Sequence, residues 1–247
     1  TPSTLRDQSL GFIEAIRQIA HTAGVSVPEL VRIFHGTTVA TNAILQEVEP
    51  RIGLITTQGF RDVFEIGRHD VPRRTDVWGW VKPKRPVPPR FIVEVSERVG
   101  MEGEVLTPLD EESCRTAVRQ LRDQGVQGIA VSFLYSFLMP DHEQKVAKII
   151  AEEYPGAFIS LSSEVLPQFR EFERTAATIL NAMVMPYVSQ YVDRIETRLK
   201  DHNINAPLLI MKSNGGVTSA GLSLIHISEP TRRYAISYAV FWLKKKI

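Results

Sequence analysis

"FHGTTVATNAILQ", Phe34–Gln46, is the stretch whose reading decides the fold. It continues the apolar run "VRIF", meets Gly36 and two threonines, and then places Val39, Ala40, Ala43 and Ile44 at helical spacing. A strand that ends in His-Gly-Thr-Thr and turns at once into a helix is a β-to-α corner. Thr37 or Thr38 can accept hydrogen bonds from the free N–H groups of the first helical turn. Capping is an ordinary reason for threonines there. The same corner also offers its amides to a bound anion or carbonyl oxygen, so a function needs support from elsewhere in the chain.

Working outward, residues 9–23 set Phe12, Ile16, Ile19 and Ala23 on one helical face. "SVPEL" has the spacing of a capping box, with Pro28 in the first turn. "RIGLITTQGF" is a strand ending in Thr56-Thr57 and a Gly turn, and "RDVFEIGR" is a short helix. Residues 69–92, rich in Pro and Arg and without periodicity, form a long excursion whose Trp78 and Trp80 want burial or a partner. From Asp110 onward helices alternate with apolar strands, "VQGIAVSFLYS" and "AFISLS". That alternation predicts crossover β-α units and a partly parallel sheet. Residues 168–200 form a long C-terminal helix that Pro186 should kink or divide. "APLLIMKSNGGVTSA" is a last strand running into a Gly-Gly turn. The fold class is α/β.

The chain has 247 residues, 43% of them hydrophobic, which suffices to bury a core. No run of about 18 apolar residues predicts a membrane span, and no signal peptide opens the chain. One cysteine, Cys114, falls on the apolar face of a predicted helix, fits a reducing, cytoplasmic compartment, and reads as a buried small residue rather than a nucleophile.

The final stretch, from Leu222 to Ile247, resembles a translated transposon-end adapter from a sequencing library. Leu222–Ser228 and Ile236–Phe241 read back as its codons, and Lys244–Lys246 fits a run of A. Five basic residues and one acidic residue lie there, so the body is slightly acidic and carries no basic tail for nucleic acid or membrane. The expected organisation is 1–185, 186–220 and a non-native 221–247, with the natural sequence cut after Ala220.

Three polar clusters stand out. His35, Gly36, Thr37, Thr38, Thr41 and Asn42 lie at the first corner, and Lys212, Ser213, Asn214, Gly215 and Gly216 follow the last strand. Both are expected beyond the carboxyl ends of strands, where α/β sheets gather ligands. A Ser-Asn-Gly-Gly turn exposes amides that a phosphate can approach closely; alone, it is equally an ordinary turn. The third cluster, Arg170, Glu171, Glu173, Arg174 and Thr175, reads as a solvated helix face with Glu–Arg neighbours. No zinc spacing, G-x-S-x-G or P-loop motif is present, and no metal-ligating set is predicted. His21, His69, His142 and His202 are scattered; only His35 ends a strand.

"HGTTVATNAILQ", "IGLITTQGFRDVFEIGR", "SLSSEVLPQFREFERTAATILNA" and "LLIMKSNGGV" together resemble the hydantoinase A and 5-oxoprolinase family across residues 1–220. The resemblance implies an actin-like (ribonuclease H-like) ATPase fold, here incomplete. It implies ATP and Mg2+ as cofactors and a cyclic amide substrate such as a hydantoin, N-methylhydantoin or 5-oxoproline. It also implies a hydantoinase B-type partner subunit or domain. ATP-dependent carboxylation of acetone or acetophenone is the alternative chemistry, and a non-catalytic nucleotide-binding activator or a plain binding module are others. By resemblance, His35, Gly36, Thr37, Thr38 and Asn42 would line the substrate or phosphate cleft, and Ser213, Asn214, Gly215 and Gly216 would hold nucleotide. Glu173, Arg174 and Thr175 match a family block of unassigned role. "GRHD" at 67–70 departs from the family's Gln after Gly-Arg. The family's opening Asp-x-Gly-Gly-Thr hairpin and its later Gly-rich loop are absent, so this polypeptide is expected neither to bind nor to hydrolyse ATP.

Overall fold

The computed structural model describes residues 8–45, 50–67, 85–211 and 216–219. In chain order, α1 (Gln8–Ala23) leads through a Ser26–Glu29 turn into β1 (Ile33–His35) and α2 (Val39–Leu45). The Glu29 carboxylate accepts the Ser26 N–H at 2.9 Å, the expected capping contact. Then come β2 (Ile52–Thr57), α3 (Val63–Ile66), β3 (Ile92–Val95), and the short strands β4 (Arg98–Val99) and β5 (Val105–Thr107). Next follow α4 (Glu111–Asp123), β6 (Gly128–Ser132), α5 (Asp141–Glu153), β7 (Phe158–Leu161) and α6 (Ser162–Val165). The chain closes with α7 (Glu171–Asp201), β8 (Leu208–Met211) and β9 (Val217–Ser219).

These elements form two compact units, one from residues up to 47 and from 184 onward, the other from 48–183. The chain passes between them within α7.

In the first unit the sheet order is β1-β8-β9. β1 and β8 are parallel, with His35 opposite Ile210; β8 and β9 are antiparallel. Its core joins Ile33, Leu208 and Ile210 to Val188, Val192, Ile195 and Leu199 of α7 and to Ile13 of α1. The expected apolar face of α1 is rotated by about one residue. Ile13 and Ala20 are buried, Phe12 and Ile16 pack at the margin, and Ile19 is 68% exposed.

The second unit carries a four-stranded sheet, β3-β2-β6-β7, with every pairing parallel. Every residue of β2 and β6 is buried, as expected of strands covered on both faces. Two glycines set the layers. A Cβ at Gly53 would meet Leu121 Cδ1 of α4 at 2.7 Å. A Cβ at Gly128 would meet Ile52 Cδ1 at 3.1 Å and the Ala182 carbonyl of α7 at 3.4 Å. Gly53 pairs with Ile129 and Gly128 with Ile52, so the glycines face opposite sides: α4 covers one, α7 the other.

α4 starts as predicted, the Asp110 carboxylate accepting from the Glu112 and Ser113 amides at 3.1 and 3.2 Å. It is followed by Gly125 at φ 69°. α7 runs without a break through Pro186, which is buried, and is not divided there. Pro186 has no N–H for the Ala182 carbonyl, and that oxygen lies against Gly128. Residues 68–84, most of the Pro-rich excursion with Trp78 and Trp80, lie outside the described residues, as do 220–247. Its end is anchored: the Arg85 guanidinium lies 5.6 Å from the Phe64 ring centroid and 5.5 Å from that of Phe172. Among the described residues no helix is long and apolar enough to cross a membrane.

Candidate functional site

The first corner forms as the sequence requires. Thr37 Oγ1 accepts the Val39 N–H at 3.2 Å, so one threonine caps α2. Thr38 does not duplicate it; its hydroxyl accepts from Asn42 Nδ2 at 3.3 Å. Thr38, Thr41 and Gly36 are exposed. His35 is less available. Its Nε2 lies 2.8 Å from Tyr191 Oη, and its ring packs 4.3 Å from that of Phe12. Burial lowers its pKa, so the imidazole is neutral at pH 7.

Because β1 and β8 are parallel neighbours, His35 and Met211 both stand at the carboxyl ends of their strands. A Cβ at Gly36 would sit 3.9 Å from Met211 Sδ. Lys212, Ser213, Asn214 and Gly215 lie outside the described residues; Gly216 is exposed just before β9.

The second unit gathers the larger polar assembly, at the carboxyl ends of β2 and β6. Thr56 and Ser132 are register partners, and the Thr56 hydroxyl donates to the Ser132 carbonyl at 3.1 Å. The Thr57 hydroxyl donates to Glu97 and accepts the Leu134 N–H. Glu97 also binds His142 Nδ1 at 2.8 Å; both side chains are buried. Wholly buried Glu143 accepts the Phe133 N–H at 3.0 Å, the Ser162 hydroxyl at 2.6 Å and the Ser163 N–H at 2.8 Å.

Arg174 and Thr175 overturn the reading of a solvated helix face. Arg174 is 0% and Thr175 6% exposed. Arg174 makes no surface pair with Glu171. It donates Nη1 to the Gln168 carbonyl at 2.9 Å and Nη2 to the Phe133 carbonyl at 2.6 Å, over the Phe137 ring. Burial pushes its pKa down, against the opposing fields of Glu143 and Glu171. Thr175 Oγ1 and Ser132 Oγ are 2.8 Å apart. The reason is the fold. The first turn of α7 lies against the sheet, and an arginine reaches the loop carbonyls beyond β6. Glu173 is half-buried.

Sequence reasoning missed Glu97, His142 and Glu143. The available signal was Thr56-Thr57 and Ser132 ending two apolar runs; nothing marked Glu97 or paired it with His142. Among the described residues no group of three or more His, Cys, Asp or Glu is placed to hold a metal.

The family described as hydantoinase/oxoprolinase N-terminal region matches residues 1–154, and the hydantoinase/oxoprolinase family matches residues 174–228. The acetophenone carboxylase gamma subunit of Aromatoleum aromaticum is 35% identical over 231 residues, covering 87% of this chain. The caprolactamase subunit alpha of Pseudomonas jessenii is 32% identical over 223 residues, also 87% of this chain. The 5-oxoprolinase of Saccharomyces cerevisiae is 31% identical over 214 residues, 75% of this chain. The chain spans 32% of each of the first two proteins and 16% of the third. The crystal structure of the ATP-dependent caprolactamase from Pseudomonas jessenii superposes with a TM-score of 0.77 at 30% identity, covering 93% of this chain and 35% of that one. The all-parallel β3-β2-β6-β7 sheet and the partly parallel β1-β8-β9 sheet agree with an actin-like ATPase fold.

Proposed function

The chain belongs to the hydantoinase/oxoprolinase family, and from that premise we propose that it is part of an ATP-dependent hydrolase that opens the C–N bond of a cyclic amide. The likeness to caprolactamase and 5-oxoprolinase supports ring opening, and the ATP-dependent caprolactamase supports nucleotide use. The observation that supports the reading is the parallel pairing of β1 and β8: the His35–Asn42 corner follows one of these strands in the sequence, and residues 213–216 follow the other.

In this proposal the corner's open backbone at Gly36 and the exposed Thr38 and Thr41 hydroxyls receive phosphate or substrate oxygens. Neutral His35 orients the corner through Tyr191. Ser213, Asn214, Gly215 and Gly216 hold nucleotide by their amides. ATP supplies a phosphoryl group that activates an unreactive amide oxygen, and the protein positions and neutralises. Mg2+ would accompany the nucleotide phosphates. Residues 1–185 and 186–220 would belong to the family's N-terminal and central parts, followed by the adapter-like tail. A B-type subunit or domain would complete a cytoplasmic enzyme.

The test is ATPase activity of the complete protein with its partner subunit. Stimulation by 5-oxoproline, hydantoin or caprolactam is expected. The acetophenone carboxylase likeness carries a second reading. Stimulation only by a ketone with bicarbonate would establish that reading and sink the hydrolase.

A further inference from the structure

The β4–β5 hairpin of the second unit is fastened at its root by buried side chains. The Asp110 N–H donates to the Ser96 carbonyl at 2.9 Å and closes the loop between them. The Glu97 side chain is fully buried. His142 Nδ1 of α5 lies 2.8 Å from one of its oxygens, and the Thr57 hydroxyl at the end of β2 donates to the other. Beside it the Arg98 guanidinium lies 4.6 Å from the Phe60 ring centroid, and Val99 is buried. A polar network satisfied from three elements holds the hairpin in one orientation. Its turn is closed as well: the Gly100 N–H donates to the Glu104 carbonyl at 2.8 Å, and Gly103 takes the left-handed conformation, φ 86°, that a short hairpin turn needs.

Above this root the polarity inverts. Met101 is 73% and Leu106 60% exposed, and Val105 is exposed too. Leu138, also exposed, lies against the turn, since a Cβ on Gly103 would sit 3.9 Å from the Leu138 Cβ. Scattered apolar side chains on a surface need no explanation, but four gathered at one projecting turn do. The hairpin's own apolar contacts come from Val99 and Leu109, so the exposed four are left over from folding. Among the described strands β5 has only β4 beside it, and its outer edge is unpaired.

The charges around the turn have one sign. Glu102, Glu104 and Asp141 are exposed there, and Arg98, the only basic residue between Ser96 and Glu112, is held at the root over Phe60. An acidic rim disfavours nucleic acid and anionic lipid. It also disfavours a second copy of the same turn, which would set like charges together. It suits a protein surface whose apolar groove is bordered by Lys or Arg.

We propose that the β4–β5 turn, with Leu138, is a docking knob for the B-type subunit, which receives it in an apolar groove with a basic rim. Met101 and Leu106 are the anchors. The buried root orders them in advance, so little conformational freedom is lost on docking. The partner's identity rests on the reading above; the chemistry of its groove follows from the hairpin.

The test uses the complete protein and its separately purified B-type subunit, with affinity read by isothermal calorimetry. Met101→Glu and Leu106→Glu, both at exposed positions, should each raise Kd at least about tenfold and leave the urea midpoint unchanged. Glu102→Lys should also weaken binding and flatten its dependence on salt, because it reverses a charge that attracts the partner. Unchanged affinity of Leu106→Glu, or no complex with that subunit, overturns the docking knob. So does slow amide exchange at 101–106 in the complete protein without its partner, the sign of a turn covered by its own chain. A dimer of the complete protein that Leu106→Glu dissociates would put a second copy there instead, and overturns it too. Ring opening by a complex indifferent to these variants sinks the docking knob and spares the hydrolase. A complex that they weaken, but that opens no ring with ATP, does the reverse.

Discussion

Glu143→Gln tests how the polar assembly holds the end of β6. The carboxylate accepts three hydrogen bonds, two on Oε1 from Phe133 N–H and Ser162 Oγ–H, and one on Oε2 from Ser163 N–H. Glutamine keeps the shape and supplies one oxygen. Turned toward Phe133 and Ser162, it satisfies two donors and sets its own NH2 against the Ser163 amide. That leaves a buried donor unpaired, which costs about 1–3 kcal/mol. Relief from losing a buried charge acts in the opposite direction. The net loss should be about 2 kcal/mol, and Glu143→Ala, which loses all three partners and leaves a void, should cost about 4 kcal/mol. Urea unfolding followed by far-UV circular dichroism reads both as a lower midpoint at unchanged slope. Amide exchange supplies the local signature: the Ser163 N–H should be released more than that of Phe133. A Glu143→Gln variant within about 0.5 kcal/mol of the parent, or one that frees Phe133 first, would refute the acceptor count.

Burial lowers the His35 pKa, so below the ordinary histidine value, near 6.5, the unfolded chain takes up a proton that the native state resists. Stability from this group is full above that value and declines as pH falls toward the lowered native one; thermal melts of His35→Phe should show a shallower acid decline than the parent. Gly53→Ala should cost about 1–3 kcal/mol by pressing a methyl into Leu121, and urea midpoints should show the double change Gly53→Ala/Leu121→Ala costing less than the sum. Cys114 is wholly buried and its thiol is pushed up to about 12. A thiol-reactive chromogenic reagent should therefore label it only at the rate of unfolding.

The alternation of apolar strands and capped helices was legible because each rests on local chemistry: Asp110 and Gly125 bound α4, and Thr37 caps α2. The sequence put a strand before each of the two corners, but the parallel pairing of β1 with β8 was not read from it. The α1 face slipped by a residue because Ile19 and Ile13 both suit a helical stripe, and only packing chooses between them. Arg174 was misread for a stronger reason. Glu and Arg at helical spacing look identical on a wet face and on a buried one, until the carbonyls of Phe133 and Gln168 supply partners from distant positions. Glu97 and His142 lie 45 positions apart, beyond any local pattern. The role of the 213–216 turn remains a proposal drawn from the resemblance.

The packing around Gly128 has a consequence for how this lineage can change. Proline at 186 leaves an acceptor without its helical donor, and a residue with no side chain at 128 gives that oxygen somewhere to rest. A methyl at 128 would meet that oxygen at 3.4 Å, an ordinary contact, but would press on the Phe158 carbonyl of β7 at 3.3 Å and on Ile52 Cδ1 at 3.1 Å. The neighbouring strands therefore keep position 128 bare, and descendants should keep the glycine whether or not they keep the proline.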